Sequence, residues 1–227
     1  MKVTAIVPSA GIGRRIRSKT DKPFIKVAGK EMILYALKAL EDSSAISEVI
    51  IAASPKNIER TKALLRRKRF GKITHVVKGG KRRSESVSNC LSKVSQDTDL
   101  IFIHDAARPF LNEPLIRSTI KAAARHGASV ASVLVKPTIK QAGPKGEFVA
   151  KTLDRRSLWE AQTPQVFKKD LLLKAYRKAG KALKDFTDDA SIVEAYGGKV
   201  RIVAGSYNNI KITTPEDLVI AEAMFKR

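Results

Sequence analysis

Val3-Thr4-Ala5-Ile6-Val7-Pro8-Ser9-Ala10-Gly11-Ile12-Gly13-Arg14-Arg15 runs from an apolar stretch straight into a glycine-bearing, cationic loop. The stretch 3–7 reads as a buried strand entered directly from the N-terminus. Gly11 and Gly13 let the backbone turn tightly and approach a ligand closely. Arg14 and Arg15, with Lys22 a little further on, place cations beside backbone N–H groups that the turn leaves exposed. Glycines, N–H donors and clustered cations together suit a polyphosphate. No Gly-Lys-Ser/Thr follows the strand, which excludes a Walker A loop. Ile16 stands where a dinucleotide fingerprint needs its third glycine. Taken alone, the loop is equally well a turn with solvated basic side chains, so the rest of the chain decides.

Outward from that loop, strands and helices alternate. A helix is expected over 31–41, where Ile33, Leu34, Leu37 and Leu40 share a face, and a strand over 48–53. Ser54-Pro55 reads as an N-cap and a proline at the first helical position, opening a basic helix that reaches about residue 69. Further strands are expected over 73–77, 100–104, 128–135 and 199–203. Further helices are expected over 84–94, 112–126, 169–182, 188–196 and 215–225. Such alternation, with near-continuous apolar strands, implies an α/β fold: a Rossmann-like, mainly parallel sheet with helices on both faces. Ligands of such sheets bind beyond the carboxyl ends of the strands.

The segment 136–158 interrupts the alternation. Pro137, Gly143-Pro144 and Gly146 punctuate extended sequence there, which reads as a projecting β-hairpin arm on a single domain spanning 1–227. Arms of this kind commonly embrace a partner subunit. A homodimer through the arm is therefore expected, with a plain surface hairpin as the alternative.

Composition narrows the class. Of 227 residues 43% are hydrophobic, enough for a globular core, and no apolar run approaches the roughly 20 residues a membrane helix needs. The N-terminus lacks a signal-peptide layout, so a cytoplasmic protein is expected. Cys90 is the single cysteine and falls on the stripe Val87, Cys90, Leu91, Val94, as buried filler would. The net charge of +22 favours anionic partners. Its densest run, Arg66-Arg67-Lys68-Arg69, reads as a solvated helix face. Aromatic residues are only 6% and do not interleave with that run, so the stacking platforms of nucleic-acid binders are not visible.

Chemistry-bearing residues cluster just after the strands. Asp105 ends the strand 100–104 and is placed to hold a metal such as Mg²⁺, which takes one or two protein carboxylates plus substrate phosphates. Gly79-Gly80-Lys81-Arg82-Arg83-Ser84-Glu85-Ser86 opens a helix with glycines, cations and hydroxyls, again an anion-binding arrangement. His75, His104 and His126 make no metal-ligand spacing, and none is assigned to catalysis.

Ser9-Ala10-Gly11-Ile12-Gly13-Arg14-Arg15 with Lys22, Gly79-Gly80 with Arg83 and Ser86, His104-Asp105-Ala106-Ala107-Arg108-Pro109, Thr163-Pro164-Gln165, Thr187-Asp188-Asp189 and Asn209-Ile210-Lys211 occur in that order. As a set they resemble the methylerythritol-phosphate cytidylyltransferase family of the non-mevalonate isoprenoid pathway, over nearly the whole chain. The resemblance implies that Arg15, Lys22 and Lys211 act on the reacting phosphates of CTP. It implies that Ala10, Gly80 and Ser86 contact the cytosine, and that Gly11, Gly13 and Arg83 line the nucleotide pocket. Asp105 would hold Mg²⁺ and Arg108 the methylerythritol phosphate. Thr138 and Arg155 of the arm would reach the sugar phosphate in a partner's site, with Thr163 and Thr187 near it. Two departures stand out: Asp21 and Pro23 flank Lys22 where the family has Pro-Lys-Gln, and Ser9-Ala10 replaces an Ala-Ala pair. Ribitol-phosphate cytidylyltransferases share most of this layout and are the runner-up. A basic nucleic-acid-binding protein is a more distant alternative.

Overall fold

A computed structural model describes residues 1–11, 16 and 20–226 of the chain. The elements follow one another as alternation predicts. β1 (Val3–Ser9) leads through the first loop to a 3-10 turn, Lys22–Phe24. A small ribbon of β2 (Lys26–Val27) and β3 (Lys30–Glu31) precedes α1 (Met32–Asp42). β4 (Glu48–Ala53), a second 3-10 turn (Pro55–Asn57) and α2 (Ile58–Lys68) come next. β5 (Ile73–Lys78), α3 (Arg83–Leu91), β6 (Leu100–Ile103), α4 (Glu113–His126) and β7 (Ala128–Leu134) continue the pattern. The hairpin of β8 (Ile139–Ala142) and β9 (Val149–Leu153) then leads to β10 (Trp159–Lys168) and α5 (Lys169–Ala179). α6 (Asp189–Ala195), β11 (Arg201–Ala204) and α7 (Pro215–Phe225) complete the chain.

Seven strands form one sheet in the order β11-β7-β10-β6-β1-β4-β5. β1 pairs in parallel with β4 and β6, β4 with β5, and β11 with β7. Only β10, between β6 and β7, runs antiparallel. The pleat sorts the apolar residues to the two faces. Val3, Ala5 and Val7 of β1 with Leu100 and Phe102 of β6 pack against Leu37 of α1, Leu64 of α2 and Ile116 of α4. Ile6, Ile101 and Ile103 face the other way, against Cys90 of α3, Leu172 of α5 and Ile192 of α6. Cys90 is fully buried there, as its stripe predicts, and burial pushes its thiol up to about 12.

Helix ends follow local chemistry. Asn112 caps α4 by accepting the Leu115 N–H at 3.0 Å, and Gly127 ends it at φ 92°, a backbone setting that favours glycine. Ser54 corrects an expectation. Its hydroxyl caps nothing and has no partner, because the chain first makes the 3-10 turn Pro55–Asn57 and the α-helix starts only at Ile58.

The largest correction is β10. No strand is expected between the arm and the helix at 169, yet these ten residues lie inside the sheet. Pro164 both masks the strand pattern and shapes the local geometry. A proline cannot donate to a ladder, and the pairing with β7 shifts register between Ala161 and Gln165, around it. The hairpin arm itself is present: β8 and β9 pair antiparallel with each other alone. Phe148 and Val149 near its tip are 81% and 60% exposed.

Candidate active site

The carboxyl ends of β1, β4, β5 and β6 are stitched to one another. Ser9 Oγ donates to the Ala52 carbonyl at 2.8 Å, and the Gly79 N–H to the Ala53 carbonyl at 2.8 Å. Gly79 has to be glycine, because a Cβ there would lie 2.3 Å from the Ala10 Cβ. The first loop and the loop after β5 thus touch, and above them opens a cavity of about 330 Å³. This is the place, outside the carboxyl ends of the strands, where open α/β sheets bind ligands.

Eight of the residues expected at the site meet in this one cavity: Ala10, Gly11 and Lys22 from the first loop, Gly80, Arg83 and Ser86 around the start of α3, then Asp105 and Lys211. Pro23, Lys81 and Arg82 join them. Among the described residues, five cationic side chains, those of Lys22, Lys81, Arg82, Arg83 and Lys211, therefore line the cavity together with one carboxylate. Gly13 and Arg15, also expected here, lie outside the described residues.

Asp105 is the electrostatic centre. Arg83 Nε reaches its Oδ1 at 2.8 Å and Lys211 Nζ its Oδ2 at 2.6 Å. Burial alone would raise the Asp105 pKa. The charges and hydrogen bonds of Arg83 and Lys211 outweigh it and hold the carboxyl well below the usual carboxylate range. Asp105 is therefore an anion at any physiological pH. Behind it, Arg83 also donates to Asp189 Oδ2 through Nη1 at 2.7 Å, and Tyr176 donates to Asp189 Oδ1 at 2.5 Å. Burial pushes the Arg83 pKa down, but the two aspartates more than reverse this, so the guanidinium stays charged. Burial and Asp189 together raise the Tyr176 hydroxyl well above its ordinary value, keeping it a donor. Gln165 of β10 holds the start of α6: its Oε1 accepts the N–H groups of Asp189 and Ala190, and its Nε2 donates to Asp188 Oδ2 at 2.7 Å.

The loop after β6 is fixed by a relay through His104. The Asp105 N–H donates to Thr163 Oγ1 at 3.1 Å, Thr163 lies 3.1 Å from His104 Nδ1, and His104 Nε2 lies 3.1 Å from the Arg108 carbonyl. A carbonyl only accepts, so Nε2 carries the proton and Nδ1 accepts from the Thr163 hydroxyl. Burial lowers the His104 pKa to about 4, so the ring is neutral. It is fully buried, and both of its ring nitrogens are engaged within the loop it holds.

Other expected residues do not line the cavity. Arg108 is 6% exposed and donates through Nη1 to the Asn209 carbonyl at 2.6 Å. Thr163 is buried in the His104 relay. Arg108 and Thr163 thus lie beneath the segment that presents Lys211, which is also held by the bond from the Ile212 N–H to the Ala107 carbonyl at 2.9 Å. Thr187 is exposed ahead of α6. Thr138 and Arg155 are exposed at the arm, where Arg155 donates to the Lys136 carbonyl. Ser86 lines the cavity, but its hydroxyl is engaged: it accepts the Gly80 N–H at 3.1 Å and donates to the Arg82 carbonyl at 3.0 Å. Sequence reasoning gave no role to Asp189, Gln165 or Tyr176. The Thr187-Asp188-Asp189 and Thr163-Pro164-Gln165 stretches were the only signals for the first two.

Among the described residues no group of three His, Cys, Asp or Glu side chains comes close enough to cage a metal. Asp105 is the one ionised carboxylate among the described lining residues that a divalent cation could take beside water and substrate phosphates, and in this structure Arg83 and Lys211 engage both of its oxygens. Among the described residues no helix is long and apolar enough to cross a membrane.

Comparison with known proteins agrees with the geometry. The family model described as IspD: 2-C-methyl-D-erythritol 4-phosphate cytidylyltransferase matches residues 3–227. The chain is 43% identical over 227 residues to the enzyme of that name from Pelotomaculum thermopropionicum, covering 99% of this chain and 94% of that one. It is 42% identical over 228 residues to that from Caldanaerobacter subterraneus subsp. tengcongensis, covering 100% of both. Among solved structures, the 4-diphosphocytidyl-2C-methyl-D-erythritol synthase of Anaerococcus prevotii superposes with a TM-score of 0.88 at 31% identity, covering 100% of this chain and 96% of that one. The Thermus thermophilus cytidylyltransferase superposes at 0.82 with 32% identity, covering 100% of both. Cavity, sheet and sequence agree along the whole length: the chain belongs to the IspD family of 2-C-methyl-D-erythritol 4-phosphate cytidylyltransferases and is a nucleotidyltransferase.

Proposed function

We propose that this chain moves the cytidylyl group of CTP onto 2-C-methyl-D-erythritol 4-phosphate, releasing pyrophosphate in the non-mevalonate isoprenoid pathway, with a division of labour among its own residues. The observation that carries it is the cavity that, among the described residues, five cations line around one ionised carboxylate, Asp105. Lys22 and Lys211, with Arg15, hold the triphosphate and neutralise charge that develops on the α-phosphate. Ala10 and Gly80 meet the cytosine through backbone groups and Ser86 shapes the same wall. Gly11, Gly13 and Arg83 line the nucleotide pocket. Asp105 is the residue that would hold Mg²⁺, which when bound would offset the negative charge of the phosphates.

The acceptor supplies its own nucleophile. A phosphomonoester has a second pKa near ~6, so it is largely ionised at neutral pH and needs no general base. The fully buried, neutral His104 fits that absence of a base. Catalysis is then positioning plus charge stabilisation. Thr138, Arg155 and Thr187, all exposed, are the residues left to meet the acceptor, the arm residues doing so in the site of a partner subunit, while Arg108 and Thr163 hold the Lys211 segment from beneath. Exposed Phe148 and Val149 on the arm, with Leu134 and Trp159 at its base 44% and 40% exposed, support residues 136–158 as the dimer contact of a single-domain, cytoplasmic protein.

A pyrophosphate-release assay tests the reading, pairing CTP or UTP with methylerythritol phosphate or ribitol phosphate in Mg²⁺. Turnover with CTP and methylerythritol phosphate is expected. Preference for ribitol phosphate would move the acceptor. Lys22→Ala and Lys211→Ala should each lower kcat by about 10²–10³, the cost of deleting one well-placed donor, while changing KM less. Near wild-type turnover in either variant would remove that residue from the mechanism.

A further inference from the structure

Asp21 and Pro23, the residues flanking Lys22, make a latch. Pro23 occupies an early position of the 3-10 turn Lys22–Phe24, where a missing N–H leaves no bond unmade. The turn closes through the Phe24 N–H to the Asp21 carbonyl at 2.9 Å and the Ile25 N–H to the Lys22 carbonyl at 3.2 Å. The Asp21 carboxylate reaches across to the turn after β4. Its Oδ2 accepts from Asn57 Nδ2 at 2.9 Å, and its Oδ1 pairs with Lys56 Nζ at 2.9 Å. The Asp21 side chain is only 17% exposed and Asn57 only 7%, so the bond between them is shielded from water, while Lys56, 63% exposed, pairs with Asp21 from the solvent side. On the far side of Lys22, Phe24 is buried in the core, with the Arg60 guanidinium 4.1 Å from its ring centroid. The turn carrying Lys22 is thus pinned at both ends, to the segment that leaves β4 and to α2.

We infer that Asp21 is a positioning residue: through Asn57 and Lys56 it fixes the turn that aims Lys22 into the nucleotide cavity. This rests on the role assigned to Lys22 above. Asp21 lines no part of the cavity. Its effect must pass through the turn, and misplacing a catalytic group by about 1 Å can cost up to about 10²-fold in rate.

The test is a kinetic cycle on the full-length protein: wild type, Asp21→Ala, Lys22→Ala and the double variant, assayed for kcat and for KM of CTP. Asp21→Ala should lower kcat about tenfold with KM for CTP changed by less than about twofold, the pattern of a displaced rather than a missing group. In the Lys22→Ala background the same substitution should have no further effect on kcat. Asp21→Asn, which keeps the bond to Asn57 and loses the pairing with Lys56, should fall between wild type and Asp21→Ala. A second readout does not depend on turnover: the Phe24 and Ile25 amides should exchange hydrogen faster in Asp21→Ala, while the thermal midpoint moves little. Equal losses of kcat in both backgrounds would overturn the latch in favour of a general structural effect. An unchanged kcat in Asp21→Ala, beside a large loss in Lys22→Ala, would overturn the latch and leave the role of Lys22 standing. An unchanged kcat in Lys22→Ala would overturn both.

Discussion

Asp189→Asn removes one charge from beneath the cavity and leaves its shape. In the native protein Arg83 and Lys211 are balanced by Asp105 and Asp189, two cations against two anions. Asp189 is fully buried, and Arg83 retains 24% exposure. Breaking a buried pair by removing one partner costs about 3–5 kcal/mol. An asparagine can still accept from either Arg83 or Tyr176, and partial solvation of Arg83 softens the loss. We therefore expect a destabilisation of about 2–3 kcal/mol. For a chain of this length that is a fall of about 4–12 °C in Tm. Urea unfolding should show a lower midpoint with an unchanged slope. The loss should persist in 0.5 M salt, since screening acts weakly on buried charges. Tyr176→Phe, which deletes only a hydroxyl, should cost about 1 kcal/mol. A destabilisation below about 0.5 kcal/mol in Asp189→Asn, the range of ordinary surface substitutions, would refute the view that Asp189 anchors Arg83.

Three further outcomes are expected. Because the folded-state pKa of His104 is depressed, to about 4 from 6.5, the unfolded chain takes up a proton that the folded one refuses as the pH falls. Stability should decline by about 3 kcal/mol across that window and level off below it, and His104→Gln, followed by urea unfolding at each pH, should lose this component. Chelation should abolish pyrophosphate release and added Mg²⁺ restore it, with Asp105→Asn needing more Mg²⁺ for half its maximal rate; full activity in the chelator would exclude the metal. Replacing residues 139–153 by a short turn should shift the sedimenting species from dimer to monomer and reduce turnover, whereas a dimeric, fully active product would remove the arm from both roles.

Much of the fold could be read from hydrophobic pattern because the inner parallel strands are buried on both faces and announce themselves locally, while β5 and β11, at the sheet edges, are more exposed. Val3 to Val7, Glu48 to Ala53 and Leu100 to Ile103 are such runs. β10 could not be read this way. Its first three residues are exposed and Pro164 sits among its buried ones, so it shows neither alternation nor an unbroken apolar run. The upper layer of the site was legible for a related reason. Glycines and cations just after strands are confined to the carboxyl edge by the strand they follow. The lower layer was not. Arg83 meets Asp189 across 106 residues and Tyr176 meets it across 13, and nothing in the local sequence of either partner encodes those contacts. Asp21 shows a third case: it was legible only as a departure from the family pattern beside Lys22, and its partner Asn57 lies 36 residues away, beyond the reach of local sequence.

The antiparallel insertion of β10 bears on how the chain is assembled as it leaves the ribosome. β1, β4, β5 and β6 are all made within the first 103 residues and pair among themselves. β7 has no partner in that set. Its two neighbours, β10 and β11, are both synthesised later, and β10 emerges only after the whole arm. An apolar strand must therefore wait, unpaired, through the synthesis of residues 135–158, and the arm's length sets the duration of that wait. Lengthening the arm would prolong the exposure of β7 during translation without altering the finished fold.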